Sequence, residues 1–466
     1  MATVDDVPEL TSRRFRGTGA VAEGAPRPDR RAELPPGPRW PAIVQTVALM
    51  RFRHWFHPWL QRTYGDVFTI RLIPGGRPLV LVTRPEHTKE VFAGDPEVFH
   101  AGKGNAILGP IMGRHSLLLQ DSAEHKRARK LLMPAFNGQA LKGYQELVTE
   151  LARDEVDSWR EGESFRSLDR MNALTLEVIL RVVFGVTDES RLAALRPRVN
   201  ATVDVNPVVL LGWGYPWLQR FGLWKRTVAN QYELDKLMYA EIRERRAADD
   251  LDERSDVLSR LIRVSAGDSD EDGLSDTELR DQLVTLLLAG HETTATALAW
   301  ALHELGRHPE LHDRTVAAVT QGGPEADAWL DAVLKESMRL HPVIPMVVRT
   351  LMEPTTIAGY DLPAGATVGP SIIVSHQREE HHTDPEVFRP DRFLGQNPPT
   401  NTWIPFGGGV RRCIGAGFSL MEGVAVLREV LTSYDVRALG ADAPRVRNIT
   451  SVPRDGAQVR VTARSA

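Results

Sequence analysis

The spacing of apolar residues along the chain predicts helices over most of its length. From about Arg84 to about Leu340, apolar residues recur at intervals of three and four, as they do on the buried face of an amphipathic helix. Two apolar runs ahead of this region, Val67–Leu72 and Pro78–Val82, flank Pro74-Gly75-Gly76 and therefore predict a β-hairpin. We expect small sheets beside a helical majority.

The rest of the pattern predicts a single domain behind a short leader. A proline-rich stretch with poor periodicity runs from about Thr350 to Pro405, and an apolar helix is predicted for Phe418–Tyr434, followed by short strands. Residues 1–33 mix arginines with acidic residues and predict a disordered leader, since the acids argue against a transit peptide. No internal repeat or linker divides residues 34–466. The sequence therefore predicts one mainly α domain with small β-sheets.

One long helix has the strongest sequence signals. Ser275 to Glu278 form a capping box, the apolar pattern continues to Gly306, and Pro309 lies just beyond. Roughly thirty residues at ~1.5 Å each would span about 45 Å, enough to cross the domain. The predicted helix is apolar nearly all round and must be buried, yet Gly290 to Thr294 interrupt its apolar surface. A glutamate in that segment is costly to bury unless it is hydrogen-bonded or has a chemical role.

Composition and charge narrow the class of protein. Of 466 residues, 42% are apolar, which is enough for a large core, and the formal net charge of −4 gives no general indication of a nucleic acid partner. A single cysteine excludes an internal disulfide framework and metal sites that need several cysteines, and it is compatible with the cytoplasm. The apolar run Pro41–Met50 is too short to cross a membrane, so no transmembrane helix is expected.

That cysteine, Cys413, lies in the segment FGGGVRRCIG, which begins at Phe406. An unpaired cysteine is most often a small buried apolar residue, and an inert cysteine remains the alternative. Here, glycines can leave backbone N–H groups free to face the sulfur, Arg411 and Arg412 add positive charge, and a helix begins just after the loop. These features lower the pKa of a thiol and predict a thiolate. Because no Cys/His signature of a nucleophile is present, ligation of haem iron by one sulfur is favoured.

The same segment resembles part of a known family. Phe406, Gly409, Arg411, Cys413 and Gly415 match the pattern Phe-x-x-Gly-x-Arg-x-Cys-x-Gly, which resembles the haem-binding loop of the cytochrome P-450 monooxygenases. The resemblance implies the mainly α fold of that family, with its small β-sheets. It also implies that Cys413 binds the iron of haem b and that residues 34–466 form one haem-thiolate monooxygenase domain.

The segment AGHETT, Ala289 to Thr294, resembles the family's oxygen-activation motif. The resemblance implies that Glu292 and Thr293 are the catalytic acid and alcohol. A small residue at Gly290 leaves room over the iron, and a hydroxyl beside a carboxylate can hold water and pass protons. The alternative is a kinked helix in which the threonine hydroxyl bonds back to the backbone. A zinc site of the HExxH type is excluded, because Ala295 occupies the position of the second histidine.

Two further sets of residues resemble family motifs. Glu336 and Arg339 match a Glu-x-x-Arg motif that pairs with a later arginine, here Arg392, and this implies a structural salt bridge behind the cysteine loop. Ser122 stands where the family pattern predicts glycine. The resemblance also implies four residues that meet the two haem propionates by charge-assisted hydrogen bonds, which are His125, Arg129, Arg349 and Arg411. With these, the implied cofactor-binding residues are His125, Arg129, Arg349, Phe406, Arg411, Cys413 and Gly415.

The resemblance implies a monooxygenase that inserts one oxygen atom from O2 into a lipophilic small molecule. Electrons from NAD(P)H would arrive through a ferredoxin or flavodoxin and its reductase, because only a short segment follows Cys413. We expect a cytoplasmic monomer that binds no nucleic acid. Basic residues that could contact the redox partner are Lys126, Arg127, Lys130 and Arg412, with a solvated surface as the alternative. By position in the family, the substrate pocket would be lined by Gly102–Leu119, Asn200–Trp224, Leu286–Ala289, Val343–Val347 and Ile449–Val452.

Two other functions are compatible with the same cysteine loop. One is peroxide-driven or redox-neutral chemistry on a haem-thiolate centre. The other is a haem-based sensor or ligand carrier without enzymatic activity. The presence of both Glu292 and Thr293 argues against each of them, because neither function requires the delivery of protons to O2.

Overall fold

A computed structural model of the protein describes residues 24–29, 33–186, 188–204, 209, 216–265, 273–395 and 397–464. Most of the predicted leader, residues 1–23 and 30–32, lies outside the described residues. The short piece 24–29 places the carbonyl oxygen of Pro26 against Gly365, at a point where any side chain on Gly365 would collide with it. The division into a leader and one domain stays a prediction.

Helices make up most of the described residues, as the apolar spacing predicts. They are α1 (Ala42–Tyr64), α2 (Pro85–Phe92), α3 (Ala101–Gly104), α4 (Gly109–Met112), α5 (Ser122–Leu132), α6 (Gly138–Asp157), α7 (Ser167–Phe184), α8 (Glu189–Val203), α9 (Gly222–Arg246), α10 (Val257–Ser265), α11 (Asp276–Arg307), α12 (Pro309–Gln321), α13 (Gly323–Leu340), α14 (Ile372–Ser375) and α15 (Ala416–Ser433).

The strands form several small sheets. They are β1 (Val67–Leu72), β2 (Arg77–Val82), β3 (Phe99–His100), β4 (Ser164–Arg166), β5 (Arg349–Leu351), β6 (Thr355–Ile357), β7 (Tyr360–Leu362), β8 (Thr367–Pro370), β9 (Tyr434–Ala438), β10 (Pro444–Arg447), β11 (Thr450–Pro453) and β12 (Gln458–Ala463). The largest sheet has the order β1-β2-β8-β5-β3, and the predicted hairpin is its antiparallel pair β1–β2, with Val67 opposite Val82. Strand β2 also pairs with β8 in parallel orientation.

Helix α11 is the central element of the helical region. It begins as predicted, because the Ser275 hydroxyl accepts a hydrogen bond from the Glu278 amide while the Glu278 carboxylate accepts one from the Ser275 amide. Its apolar residues join those of α6, α7, α9, α13 and α15 in one large core. A helix that is covered on all sides can be apolar all round, which explains its sequence pattern.

Helix α1 packs against the β1–β2 hairpin and is also tied to the far end of the chain. It bends at Phe52, whose backbone leaves the helical region (φ −131°, ψ 25°), ahead of Pro58. The buried Arg53 guanidinium donates hydrogen bonds to the carbonyl oxygens of Asn448 (2.7 Å) and Ile449 (3.0 Å) in the β10–β11 turn. Within the described residues, no helix combines the length and the apolar character needed to cross a bilayer.

Candidate active site

The Cys413 loop lies between the long irregular stretch after β8 and the first turn of α15. The Cys413 amide donates a hydrogen bond to the Phe406 carbonyl oxygen (2.9 Å), which closes the loop. The Gly415 amide donates to the Cys413 sulfur. Cys413 keeps accessible surface although protein surrounds it, so its side chain borders an internal space instead of packing against a neighbour. Sulfur, backbone donor and helix N-terminus therefore come together as the sequence predicts.

The net effect of this environment on the thiol differs from the prediction. Burial raises the pKa of the Cys413 thiol above its ordinary value, and it outweighs the Gly415 amide and the positive charges of Arg129 and Arg412, which act in the opposite direction. The sequence shows the charges but not the depth at which the sulfur lies. Ionisation of such a thiol needs a further cation, and a bound metal ion supplies one. The donor set therefore fits haem iron.

The glycines of the loop have a packing role that the sequence did not reveal. A side chain on Gly408 would lie 2.2 Å from the Phe92 ring, and one on Gly409 would lie 2.1 Å from the Phe92 carbonyl oxygen. Gly409 also has a positive φ of 64°, which disfavours other residues. These glycines let the loop approach the end of α2, while Gly415 is the glycine whose amide faces the sulfur.

The middle of α11 faces an internal space. Residues on both sides are buried, but Ala289 is exposed, and Leu288, Gly290 and Thr293 are partly exposed. Leu288 packs beside Ile111, at one side of this segment. On the other side the Thr294 hydroxyl donates to the Ser419 hydroxyl (3.1 Å) on α15, the helix that begins just after Cys413. The predicted catalytic segment therefore lies between an apolar cluster and the helix behind the cysteine.

The surroundings of Gly290 and Thr293 are compatible with a purely structural role for both residues as well as with the oxygen-activation motif. A side chain on Gly290 would come within 2.9 Å of the Ile179 side chain, so the close approach of α7 explains the glycine. The Thr293 hydroxyl donates to the Ala289 carbonyl oxygen (2.7 Å), as in a back-bonded helical threonine. The hydroxyl retains its acceptor lone pairs toward the exposed face of the helix. It can therefore accept a proton or a hydrogen bond there.

Glu292 faces away from Thr293, toward the hairpin β10–β11. Its side chain is 7% exposed, and its Oε1 atom lies 3.3 Å from Nε of Arg447, which also pairs with Asp204. Burial raises the pKa of Glu292 to about 7, although Arg447 opposes that change. Oε1 is buried and forms no hydrogen bond within the described residues. Glu292 is therefore poised between its two protonation states near neutral pH.

The raised pKa of Glu292 predicts how the stability of the protein depends on pH. Because the folded protein holds the Glu292 proton more tightly than the unfolded chain, with pKa values of about 7 and 4.5, stability falls as pH rises from the lower value through the higher one. In urea unfolding from about pH 5 to about pH 8, the native protein is expected to lose about 2.5 kcal/mol more than Glu292→Gln. Glu379→Gln, at an exposed position, is the control. Parallel pH curves for native protein and Glu292→Gln would contradict the assignment.

Four basic residues converge, as predicted from their positions in the sequence. Burial, together with the positive charges of Arg411, Arg129 and Arg349, lowers the pKa of His125 to about 3. Burial likewise lowers the pKa of Arg349 and of Arg411 to about 10. Arg349 and Arg411 therefore repel each other in a poorly solvated place, and His125 is held in its neutral form. Two carboxylates would relieve that repulsion, and haem carries two in its propionates.

Asp121 and His100, two residues near this cluster, were missed by sequence analysis. Asp121 accepts hydrogen bonds from the amides of Gly102 (2.7 Å) and Lys103 (3.0 Å), and its carboxylate lies 3.6 Å from Nδ1 of His100. Ser122 adopts a left-handed backbone with φ of 50°, which explains why glycine was expected there. Its hydroxyl lies 3.3 Å from Nε2 of His100, a contact that glycine could not make.

The predicted salt bridge behind the cysteine loop is confirmed. Glu336 and Arg339 are fully buried and form two contacts of 2.7 and 2.9 Å, and Arg392 adds a third at 3.0 Å. Arg339 also donates to the His376 carbonyl oxygen (3.0 Å), and the Arg389 amide donates to Glu336 (2.8 Å). The group joins α13 to the irregular stretch that leads into the cysteine loop. Its role is structural.

Glu422 on α15 is a buried acid that sequence analysis also missed. It is 2% exposed, and burial raises its pKa to about 8, with a hydrogen bond from Thr294 acting in the opposite direction. One signal could have revealed it. Glu422 interrupts the apolar helix after Cys413, just as Glu292 interrupts α11.

Two other predictions need correction, one about the surface for the redox partner and one about the substrate pocket. Arg127 is not free to contact a redox partner, because it donates to Glu278 (2.9 Å) at the start of α11, whereas Lys126, Lys130 and Arg412 are exposed. Of the aromatic residues expected in the substrate pocket, Trp213 and Tyr215 lie outside the described residues. Trp217 (63%) and Phe221 (61%) face outward, and Trp224 packs beside Ile111 and Leu288. The sequence pattern did not show which aromatic rings of this segment face inward and which face outward.

Comparison with known proteins agrees with this geometry. The sequence model of the family described as Cytochrome P450 matches residues 35–460. The protein named cytochrome P450 135A1 of Mycobacterium tuberculosis is 50% identical over 431 residues, which cover 92% of this chain and 95% of that protein. The protein named cytochrome P450 135B1 of Mycobacterium bovis is 42% identical, with 92% of each chain covered. The chain belongs to the cytochrome P450 family.

Solved structures show the same fold. Cyanobacterial CYP120A1, solved with bound retinoic acid, superposes with a TM-score of 0.81 over 93% of this chain and all of the other, at 23% identity. The haem domain of cytochrome P450DA gives a TM-score of 0.79 at 25% identity, over 94% of this chain and 99% of the other. The predicted mainly α cytochrome P-450 fold with small β-sheets is confirmed. Family membership implies an oxidoreductase of the haem-thiolate monooxygenase class that uses haem b and O2.

Proposed function

We propose that this protein inserts one oxygen atom from O2 into a lipophilic small molecule, with electrons supplied from NAD(P)H through a separate ferredoxin or flavodoxin. The observation that carries the proposal is the turn of α11 at Ala289–Thr293, which carries an alcohol and a buried acid and faces an internal space. The apolar cluster around Ile111 and Leu288 beside that turn favours a lipophilic substrate. We also propose that the protein is cytoplasmic, because its single cysteine is compatible with that compartment.

Each residue of the site has a distinct part in this proposal. Haem, when bound, supplies the binding and reductive activation of O2. Cys413 would hold the iron, and the Gly415 amide and the Phe406 carbonyl fix the position of the sulfur. The propionates would be bound by His125, Arg129, Arg349 and Arg411.

Glu292 and Thr293 would each contribute to the supply of protons. Asp204, whose side chain is 60% exposed, contacts Arg447, and Arg447 lies beside Glu292, so this chain of polar groups leads from solvent to the buried acid. With a pKa of about 7, Glu292 can both take up and release a proton near neutral pH. The Thr293 hydroxyl, which donates its proton to the Ala289 carbonyl oxygen, would accept a hydrogen bond from a water molecule on the exposed face of the helix and hold it there.

Turnover with a surrogate redox system tests the proposed function. Compounds are first selected from a lipophilic library by the spin-state change that they cause in the purified protein, and they are then incubated with ferredoxin, its reductase and NADPH. The expected product contains one added oxygen atom that derives from isotopically labelled O2. Label arriving from water, or turnover with hydrogen peroxide and not with the reductase system, would contradict the proposal and favour the peroxide-driven alternative.

Thr293→Ala is expected to uncouple electron transfer from product formation. Without the hydroxyl, protons are delivered less selectively, and the fraction of electrons that ends in hydrogen peroxide should rise about tenfold. The ratio of peroxide formed to NADPH consumed measures the effect. Thr293→Ser retains the hydroxyl and should restore coupling. Thr149→Ala, which removes a similar back-bonded hydroxyl from an exposed position on α6, is the matched control. Normal coupling in Thr293→Ala would contradict the role of the alcohol.

A further inference from the structure

The outward face of α1 is unusually apolar. Ile43, Val44, Val47, Phe52 and Trp55 are each about half exposed, between 46% and 54%. From residue 42 to residue 60 the remaining exposed residue is Arg51. Trp40, just before the helix, is 38% exposed. We call this surface the Trp40–Trp55 face. Soluble proteins seldom expose so many large apolar side chains together, and such patches mark interaction sites.

The helical spacing puts these side chains on one stripe. Ile43, Val47 and Arg51 follow one another at intervals of four ahead of the bend at Phe52, so they lie near one another on the same side of α1. The opposite side is buried against the β1–β2 hairpin. Helix α1 is therefore apolar on its inner and on its outer face, and burial in this protein explains the inner face only.

The exposed aromatic rings are already held in place. Trp40 and Trp55 both stack on Trp59, with ring centroids 5.0 and 5.7 Å apart, and Arg51 lies 5.4 Å from the centre of the Phe52 ring. The turn after β10 also restrains the helix through Arg53. A surface that is ordered before binding loses little conformational entropy when it binds.

The charges around this face are all of one sign. No aspartate or glutamate occurs from residue 34 to residue 65, although the whole chain has a formal net charge of −4. Arg39, Arg51 and Arg62 are exposed, and none of the three forms an ion pair with another described residue. Free arginines around tryptophan and aliphatic side chains are typical of helices that lie in the headgroup region of an anionic membrane.

We propose that the Trp40–Trp55 face binds the surface of an anionic lipid membrane, with α1 lying in the plane of the headgroups. The aliphatic side chains and the two tryptophans would enter the boundary between headgroups and acyl chains, and the arginines would contact lipid phosphates. A second copy of this chain fits less well, because an apolar contact would take the Arg51 charge out of water, and Arg51 forms no ion pair with another described residue. The inference is argued from α1 and not from the Cys413 loop, so it does not depend on the proposed function.

Co-sedimentation with vesicles tests this inference. Full-length protein, purified with its haem, is mixed with vesicles of phosphatidylcholine alone or with phosphatidylglycerol added. We expect binding to the anionic vesicles, weakened by salt, and at least about tenfold weaker binding by Val47→Glu. Leu439→Glu introduces the same change at an apolar side chain of similar exposure (46%) outside α1, and it should bind like the native protein. Ile43→Glu gives a second variant of the face.

The outcomes separate the possible occupants of the face. Absence of binding to anionic vesicles, or equal binding by native protein and Val47→Glu, would overturn the inference. So would a native dimer in size-exclusion chromatography that Val47→Glu converts into a monomer, since a second copy would then cover the face. The reduced carbon monoxide spectrum of each sample shows whether the haem site is intact. A normal spectrum in Val47→Glu, together with lost vesicle binding, therefore supports the inference independently of turnover.

Discussion

Cys413→Ser is expected to abolish turnover and to remove the thiolate-type spectrum of the reduced carbon monoxide complex. The sulfur is the one thiol of the chain, and no other side chain can supply thiolate ligation. The backbone of the loop should survive, because its closing hydrogen bond joins the amide of residue 413 to the Phe406 carbonyl oxygen and does not involve the side chain. Turnover should fall to the rate seen without enzyme, and the helical circular dichroism should stay unchanged.

Val410→Ala is the matched control for this substitution. Val410 belongs to the same loop, but its side chain is 54% exposed and contributes no donor to the sulfur. Its spectrum and turnover should therefore equal those of the native protein. If Cys413→Ser kept the thiolate-type spectrum, the assignment of Cys413 as iron ligand would be wrong, and the proposed oxygen chemistry would be wrong with it.

Glu336→Gln is expected to cause a large loss of stability. The carboxylate is fully buried and is shared by Arg339, Arg392 and the amide of Arg389. Loss of its charge leaves two guanidinium groups without a full counter-charge in the interior. Breaking a buried ion pair in this way costs about 3 to 5 kcal/mol. Chemical unfolding monitored by circular dichroism measures the difference.

Asp391→Asn provides a matched comparison in the same region. Asp391 pairs with Arg314 at 2.7 Å, but both side chains are almost half exposed. Solvent screens such a pair, so its loss should cost no more than about 1 kcal/mol. Similar losses in Glu336→Gln and Asp391→Asn would show that the buried group is not the clamp that we infer.

The sequence predicted those parts of the fold whose signals are local. The capping box at Ser275, the turn glycines after Pro74 and the cysteine loop each lie within about ten residues, and each is found as expected. The pairing of Glu336 with Arg392 was also predicted, because family resemblance links the two segments. Local chemistry and resemblance together therefore located the site.

What the sequence did not predict depends on burial and on contacts between distant segments. The partner of Glu292 is Arg447, on a hairpin near the end of the chain, and no local pattern connects the two. The raised pKa of the Cys413 thiol results from depth, which overrides the nearby charges that the sequence shows. Trp217 and Trp224 belong to one aromatic run, yet one faces outward and the other inward. Such differences are decided by tertiary packing.

The crowding of positive charge at Arg129, Arg349 and Arg411 around His125 has a consequence for the life of the protein in the cell. Mutual repulsion opposes folding until two carboxylates arrive, so porphyrin binding and folding are thermodynamically linked. The melting temperature should accordingly rise with porphyrin concentration. Where porphyrin is scarce, we expect a larger fraction of newly made chains to stay open to proteases, so the abundance of the protein should depend on porphyrin supply.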